Sequence, residues 1–184
     1  MTTVSKSVSE RLRRSIRTIP DFPKQGIMFR DITTLLQDPE AFALAMSTFE
    51  ELAVPLHPQK IIGTESRGFI FGAPLALQLN AGFIPVRKPG KLPAATRSAS
   101  YDLEYGSDKL EIHEDAVQSG ERVLLIDDLL ATGGTMQATC KLVEELGGKV
   151  VGCLFLIELG FLEGRKLLHG FPVYSLVNYG SEDE

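Results

Sequence analysis

The sequence predicts an α/β fold with a parallel central sheet and flanking helices. Short runs rich in branched apolar residues recur at Lys60–Thr64, Gly82–Val86, 123–126, 150–157 and 173–177, as expected for strands buried on both faces. Segments with helical spacing separate several of these runs. That alternation is what crossover connections in a parallel sheet require.

In chain order, Val8, Leu12, Ile16 and Ile19 fall at helical spacing among Arg11, Arg13, Arg14 and Arg17, predicting an amphipathic helix docked on the domain. Pro20, Pro23 and Gly26 then force a turn and an irregular loop, and residues 27–32 read as a short strand or core segment. Asp38 and Pro39 have the capping chemistry of a helix start, followed by an apolar face of Phe42, Ala45, Met46, Phe49 and Leu52. After the run at residues 60–64, Phe69, Phe71, Leu75 and Leu79 give a second helix. Residues 82–86 lead straight into Arg87, Lys88 and Lys91, and residues 94–100 have the small, polar composition of a mobile loop. Residues 101–105 and 108–113 read as hairpin arms around Gly106 and Ser107. The strand at residues 123–126 ends at Asp127 and Asp128. The next helix passes through Met136, Leu142, Val143 and Leu146 and stops at Gly147 and Gly148. Residues 150–157 place Glu158 and Leu159 at a strand end facing ligand, residues 164–168 make a short helix, and residues 173–177 close the sheet.

At 184 residues the chain has the length of one domain with a proper core, residues 1–184 without a linker. With 43% hydrophobic and 23% charged residues it reads as a soluble globular protein. A net charge of -5 argues against a generic nucleic-acid binder, which needs clustered cations. Cys140 and Cys153 fit neither a redox pair nor a zinc set and read as reduced core residues. His57, His113 and His169 are too far apart in sequence to suggest a metal site. No apolar run reaches membrane-spanning length and no secretory core precedes the domain, so the cytoplasm is the expected compartment.

The chemistry concentrates at residues 123–135. Ligands of open α/β sheets bind beyond the carboxyl ends of the strands, where Asp127 and Asp128 emerge. The loop Ala131, Thr132, Gly133, Gly134, Thr135 offers backbone N–H groups, hydroxyls and a helix N-terminus, which suit a phosphate. Carboxylates beside a phosphate repel it, so these two should hold hydroxyls or a hard cation such as magnesium. Together they imply a phosphorylated sugar. The nucleotide motifs G-x-x-x-x-G-K-[ST] and G-x-G-x-x-G are both missing. Arg67, in the loop after the strand at residues 60–64, is either a solvated arginine or a ligand for a second phosphate group. The cations at Arg87, Lys88, Lys91 and Arg97 read either as a solvated face or as compensation for a diphosphate.

The run from Asp127 to Thr135, DDLLATGGT, resembles the 5-phosphoribosyl-1-pyrophosphate (PRPP) signature of the type I phosphoribosyltransferases, in the form used by their adenine-specific branch. Three further runs resemble that family: FP-x-x-G-x-x-FRDI from Phe22 to Ile32, ESRGF from Glu65 to Phe69, and SY-x-LEYG from Ser100 to Gly106. The resemblance extends from Phe22 to about Leu167.

It implies the type I phosphoribosyltransferase fold, with a small hood from residues 20–36 and a flexible flap over residues 88–113. It further implies a glycosyltransferase of purine salvage that forms AMP and pyrophosphate from adenine and PRPP. Such an enzyme is magnesium-dependent, cytoplasmic and homodimeric, with neither nucleic acid nor membrane as partner. By the same resemblance, Phe29 stacks on the base and Leu159 covers its other face, while Met28 and Arg30 read the base edge through their main chains. Ser66, Arg67, Lys88 and Lys91 contact the diphosphate, with Arg67 also counted as catalytic, and Arg87 reaches a neighbouring subunit. Glu104 is the candidate base for the purine N9 proton and Tyr105 a substrate contact. Asp127 and Asp128 hold the ribose hydroxyls, and residues 131–135 the 5′-phosphate. Magnesium travels on PRPP with Asp127 and Asp128 nearby, and no side chain is assigned as its direct ligand. Competing readings are a binding-only regulator on the same fold and a transferase for xanthine or a pyrimidine ring.

Overall fold

The computed structural model describes residues 4–102 and 107–182, so Glu104 and Tyr105 lie outside the described residues. Helix α1 (Lys6–Ser15) starts where the Ser5 side chain accepts from the Val8 N–H, and it buries Leu12. It stops short of the helix that the spacing of Ile16 and Ile19 predicts. Ile16 is extended, and Arg17–Ile19 forms strand β1, antiparallel to β2 (Phe29–Asp31) with Arg17 opposite Asp31. Asp31 is the reason for the switch. It accepts the Thr33 N–H at 2.9 Å and Arg17 Nε at 3.1 Å. Those donors, Thr33 foremost, hold its carboxyl down to about 2.

Helix α2 (Thr33–Gln37) leads to α3 (Pro39–Ala53), whose cap Asp38 accepts from Glu40 and Ala41 N–H. Next come β3 (Lys60–Thr64), α4 (Gly68–Gln78) and β4 (Gly82–Val86). Strand β5 (Thr96–Asp102) pairs with β6 (Ser107–His113) along its whole length, from Thr96 opposite His113 to Asp102 opposite Ser107. Residues 96–100 are therefore strand, not loop. Ala99 is buried opposite Leu110, and its small side chain lets the hairpin lie against the domain. The chain continues through β7 (Arg122–Leu130), α5 (Gly134–Glu145), β8 (Lys149–Leu159) and β9 (Val173–Tyr179), and residues 164–168 form a 3-10 turn.

The parallel sheet has the order β4-β3-β7-β8-β9. Its side chains alternate between two cores, as the two-residue period of a strand requires. Ile61, Leu124 and Ile126 pack with α1, α3 and α4, whereas Ile62, Val123 and Leu125 pack with α5 and the hairpin. Cys140 and Cys153 are buried free thiols with sulfurs 3.9 Å apart in the second core.

Candidate active site

From β3 the chain steps outward to β4, and from β7 it steps the opposite way to β8 and β9. The β3/β7 boundary is thus the topological switch point, where the loops beyond the strand ends diverge and leave a crevice. Strand β7 does not end at its carboxylates as the sequence suggests. Pairing with β3 stops at Gly63 opposite Ile126, but pairing with β8 runs on to Leu130 opposite Glu158. Asp127 and Asp128 therefore sit at a fork, past the end of the β3 pairing but inside the stretch that pairs with β8.

A cavity of about 570 Å³ opens there, well within the size range of small-molecule sites. Ser66 and Arg67 from the loop after β3, Asp127 and Asp128 from β7, the loop at residues 131–135, and Lys88 and Tyr101 all line it. Arg67 Nε lies 2.8 Å from Asp128 Oδ2. Burial raises both aspartyl carboxyls, the neighbouring Asp128 charge raising Asp127 further and Arg67 partly offsetting the rise at Asp128. The peptide bond between Glu65 and Ser66 is cis.

Two glycines set this geometry. A side chain at Gly68, the first residue of α4, would put Cβ 2.9 Å from Ile126 O and 3.1 Å from Asp127 Oδ1. Gly133 has φ +91°, and a Cβ there would lie 2.5 Å from Gly164 O. The loop at residues 131–135 thus rests on the backbone of the 3-10 turn, and nothing larger than glycine fits on either side. The N-terminal turn of α5, which has no side-chain cap, lines the same cavity, and its N–H groups and dipole make that end of the cavity favourable to negative charge.

The described family model of the phosphoribosyl transferase domain matches residues 33–168. An adenine phosphoribosyltransferase from Desulfitobacterium hafniense is 58% identical over 164 residues, covering 89% of this chain and 95% of its own. The chain belongs to the adenine phosphoribosyltransferase family. A solved adenine phosphoribosyltransferase from Thermoanaerobacter pseudethanolicus superposes with a TM-score of 0.90 at 54% identity, covering 92% of this chain and 99% of its own. The enzyme from Saccharomyces cerevisiae, complexed with adenine and an imino-altritol bisphosphate, gives a TM-score of 0.88 at 40% identity over 94% and 99% of the two chains.

Among the described residues, Met28, Phe29, Arg30, Arg87, Lys91 and Leu159 do not line this cavity. Phe29 makes an edge contact with Phe22, centroids 5.0 Å apart, and its ring lies 5.7 Å from the Arg67 guanidinium carbon. The segment carrying Phe29 therefore meets the loop carrying Arg67 at that point. Met28, beside it, is half-buried. Arg30 commits its guanidinium to Thr18 Oγ1 at 2.6 Å, to Glu182 O at 2.7 Å and to the face of Tyr179. Its Nε is buried without a hydrogen-bond partner among the described residues, and its main chain lies in the β1–β2 pairing opposite Thr18. Leu159 ends β8 opposite Tyr179 and packs on the first core. Arg87 forks onto Glu65 within the same chain at 3.0 and 3.2 Å, and its Nη1 donates to the exposed Lys91's carbonyl.

Glu158 is not at the ligand face. Its carboxylate is buried against Arg165, at 2.6 and 2.7 Å, and accepts the Ser175 hydroxyl at 2.6 Å. Conversely, sequence reasoning passed over Gly68, Gly164, Glu65, Tyr101 and Asp108. A glycine directly after Arg67 at a helix start was a readable signal for the first. Nothing in the local sequence marks Gly164, because its neighbour Ala131 is distant along the chain.

Proposed function

We propose that this transferase moves the 5-phosphoribosyl group from PRPP to adenine, yielding AMP and pyrophosphate, as a cytoplasmic homodimer that uses magnesium. The observation that carries this reading is the convergence of Asp127, Asp128, Arg67 and the phosphate loop on one cavity. A phosphate, a sugar diol and a diphosphate need those three kinds of group side by side.

Residues 131–135 bind the 5′-phosphate, Asp127 and Asp128 accept from the ribose hydroxyls, and Ser66, Arg67, Lys88 and Lys91 take the diphosphate. Holding both ends of PRPP fixes C1′ between leaving group and base, which supplies positioning rather than a protein nucleophile. As the C1′–O bond to pyrophosphate breaks, C1′ becomes oxocarbenium-like, and the cations stabilise the departing charge. Adenine N9 attacks C1′ while its proton passes to a base, the role we assign to Glu104. Phe29 and Leu159 cover the two faces of the ring, with Met28 and Arg30 main chains at its edge, Tyr105 alongside, and Arg87 serving a neighbouring subunit.

The residues present fit magnesium carried by PRPP: Asp127 and Asp128 put hard carboxylate oxygens beside the cavity, near where the ion would travel, and no side chain is assigned as its direct ligand. When bound, the ion neutralises charge building on the diphosphate. Among the described residues, no helix is long and apolar enough to cross a membrane. The test is a competition assay of adenine, hypoxanthine, guanine, xanthine and orotate with PRPP, run with magnesium and with chelator. The reading requires that adenine be preferred and that chelation stop turnover.

A further inference from the structure

Lys88 lies just past β4, its N–H donating to Glu65 Oε2 at 3.1 Å. The loop is thereby anchored while the four-carbon stem leaves the ammonium able to move. That ammonium sits 3.1 Å from Asp108 Oδ2 in the hairpin. Two other donors hold Asp108 in place: the Lys109 N–H at 2.8 Å to Oδ1 and the Tyr101 hydroxyl at 3.3 Å to Oδ2. These contacts keep Asp108 below, and Lys88 above, their ordinary values, with Lys109 the largest cause for the first and Asp108 for the second. Lys88 and Tyr101 line the cavity, and Asp108, which does not, contacts both.

We propose that Asp108 is a positioning residue that competes with the departing pyrophosphate for the Lys88 ammonium. The inference rests on the PRPP reading of the cavity. A cation shared between a fixed carboxylate and a ligand diphosphate can satisfy only one of them at full strength. Asp108 therefore weakens the product complex in two ways of the same sign: it draws Lys88 away, and its own charge repels the diphosphate. The Lys88 side chain is 59% exposed and that of Asp108 26%, so the pair is individually weak. Such an exchange is cheap in both directions, which suits a group that must hold a leaving group and then let it go.

The experiment is calorimetric titration of the full chain with magnesium pyrophosphate at fixed ionic strength, for the wild type, Asp108→Asn, Lys88→Met and the double variant. Asp108→Asn should bind pyrophosphate about two- to five-fold more tightly. That gain should shrink to less than half in the Lys88→Met background. Asp108→Ala, measured the same way, replaces the first variant if that variant fails to fold. Unchanged or weaker binding by the Asp108 variants overturns the exchange and makes Asp108 a scaffold, as does an equal gain in both backgrounds. A wild type that binds no pyrophosphate overturns the PRPP reading itself, and the inference with it.

Discussion

Arg67 Nε lies 2.8 Å from Asp128 Oδ2, so the cation assigned to the diphosphate and a carboxylate assigned to the sugar are partners of each other. PRPP must divide them between its two halves. Asp128→Asn removes the negative charge and one of the two oxygens proposed to accept from the ribose hydroxyls, and PRPP affinity should fall at least ten-fold, about 1.4 kcal/mol or more. The fold should survive, because burial already penalises the charged form of Asp128 and Arg67 reaches solvent. Calorimetry and a thermal melt check both halves, and undiminished PRPP affinity would contradict the ribose role.

The raised carboxyls at Asp127 and Asp128 have a signed consequence for stability. In the unfolded chain they ionise near 4, whereas the folded protein keeps their protons to higher pH. Their contribution to stability is therefore greatest below the unfolded value and is lost as pH rises through the raised folded value. PRPP recognition needs the ionised pair, so binding should release protons across that window and strengthen as pH rises. Titrations in two buffers of different ionisation enthalpy would expose the release. A heat independent of buffer would rule it out.

Gly164→Ala should damage the phosphate loop without touching ligand. The added Cβ meets the carbonyl of Ala131, and backbone on both sides cannot move aside. A cost of about 1–3 kcal/mol in stability is expected, together with a higher KM for PRPP and a smaller change for adenine. A KM for PRPP equal to that of the wild type would show that the 3-10 turn does not set the loop.

Glu158→Ala tests whether a strand-end acid close to the site is structural. It leaves Arg165 without the carboxylate that its Nε and Nη2 reach, Nη1 being held by Val173 O, and leaves Ser175 without its acceptor. Because the Arg165 side chain is 46% exposed, the loss should sit below the full buried-pair penalty, at about 2–3 kcal/mol. Denaturant unfolding measures it. A variant of normal stability but no PRPP affinity would move Glu158 into the site.

Buried strands with a clear apolar period were readable from the letters, as were the Asp38 cap and the stop of α5 at Gly147. So was the placing of two acids beside the loop at residues 131–135, because those groups are adjacent in sequence. Relations between distant segments were not. Ile19 keeps helical spacing with Leu12, yet Arg17 leaves the helix because Asp31 and Thr33, on another segment, give the chain a better hydrogen-bonded partner. Thr96 to Ser100 look like loop because small polar residues carry little strand preference alone, and pairing with β6 supplies what they lack. Glu158 was misplaced for the same reason, its partners Arg165 and Ser175 lying beyond the strand that carries it. In each case a tertiary contact decided between alternatives that local pattern left level.

The central claim is that one cavity joins a ribosyl phosphate to adenine. Incubating the protein with labelled adenine, PRPP and magnesium, and following AMP and pyrophosphate together, tests it most directly. The account predicts one AMP and one pyrophosphate per adenine consumed, with both lost in Asp128→Asn. Adenine left unconsumed while another base is ribosylated, or no base at all, would contradict it.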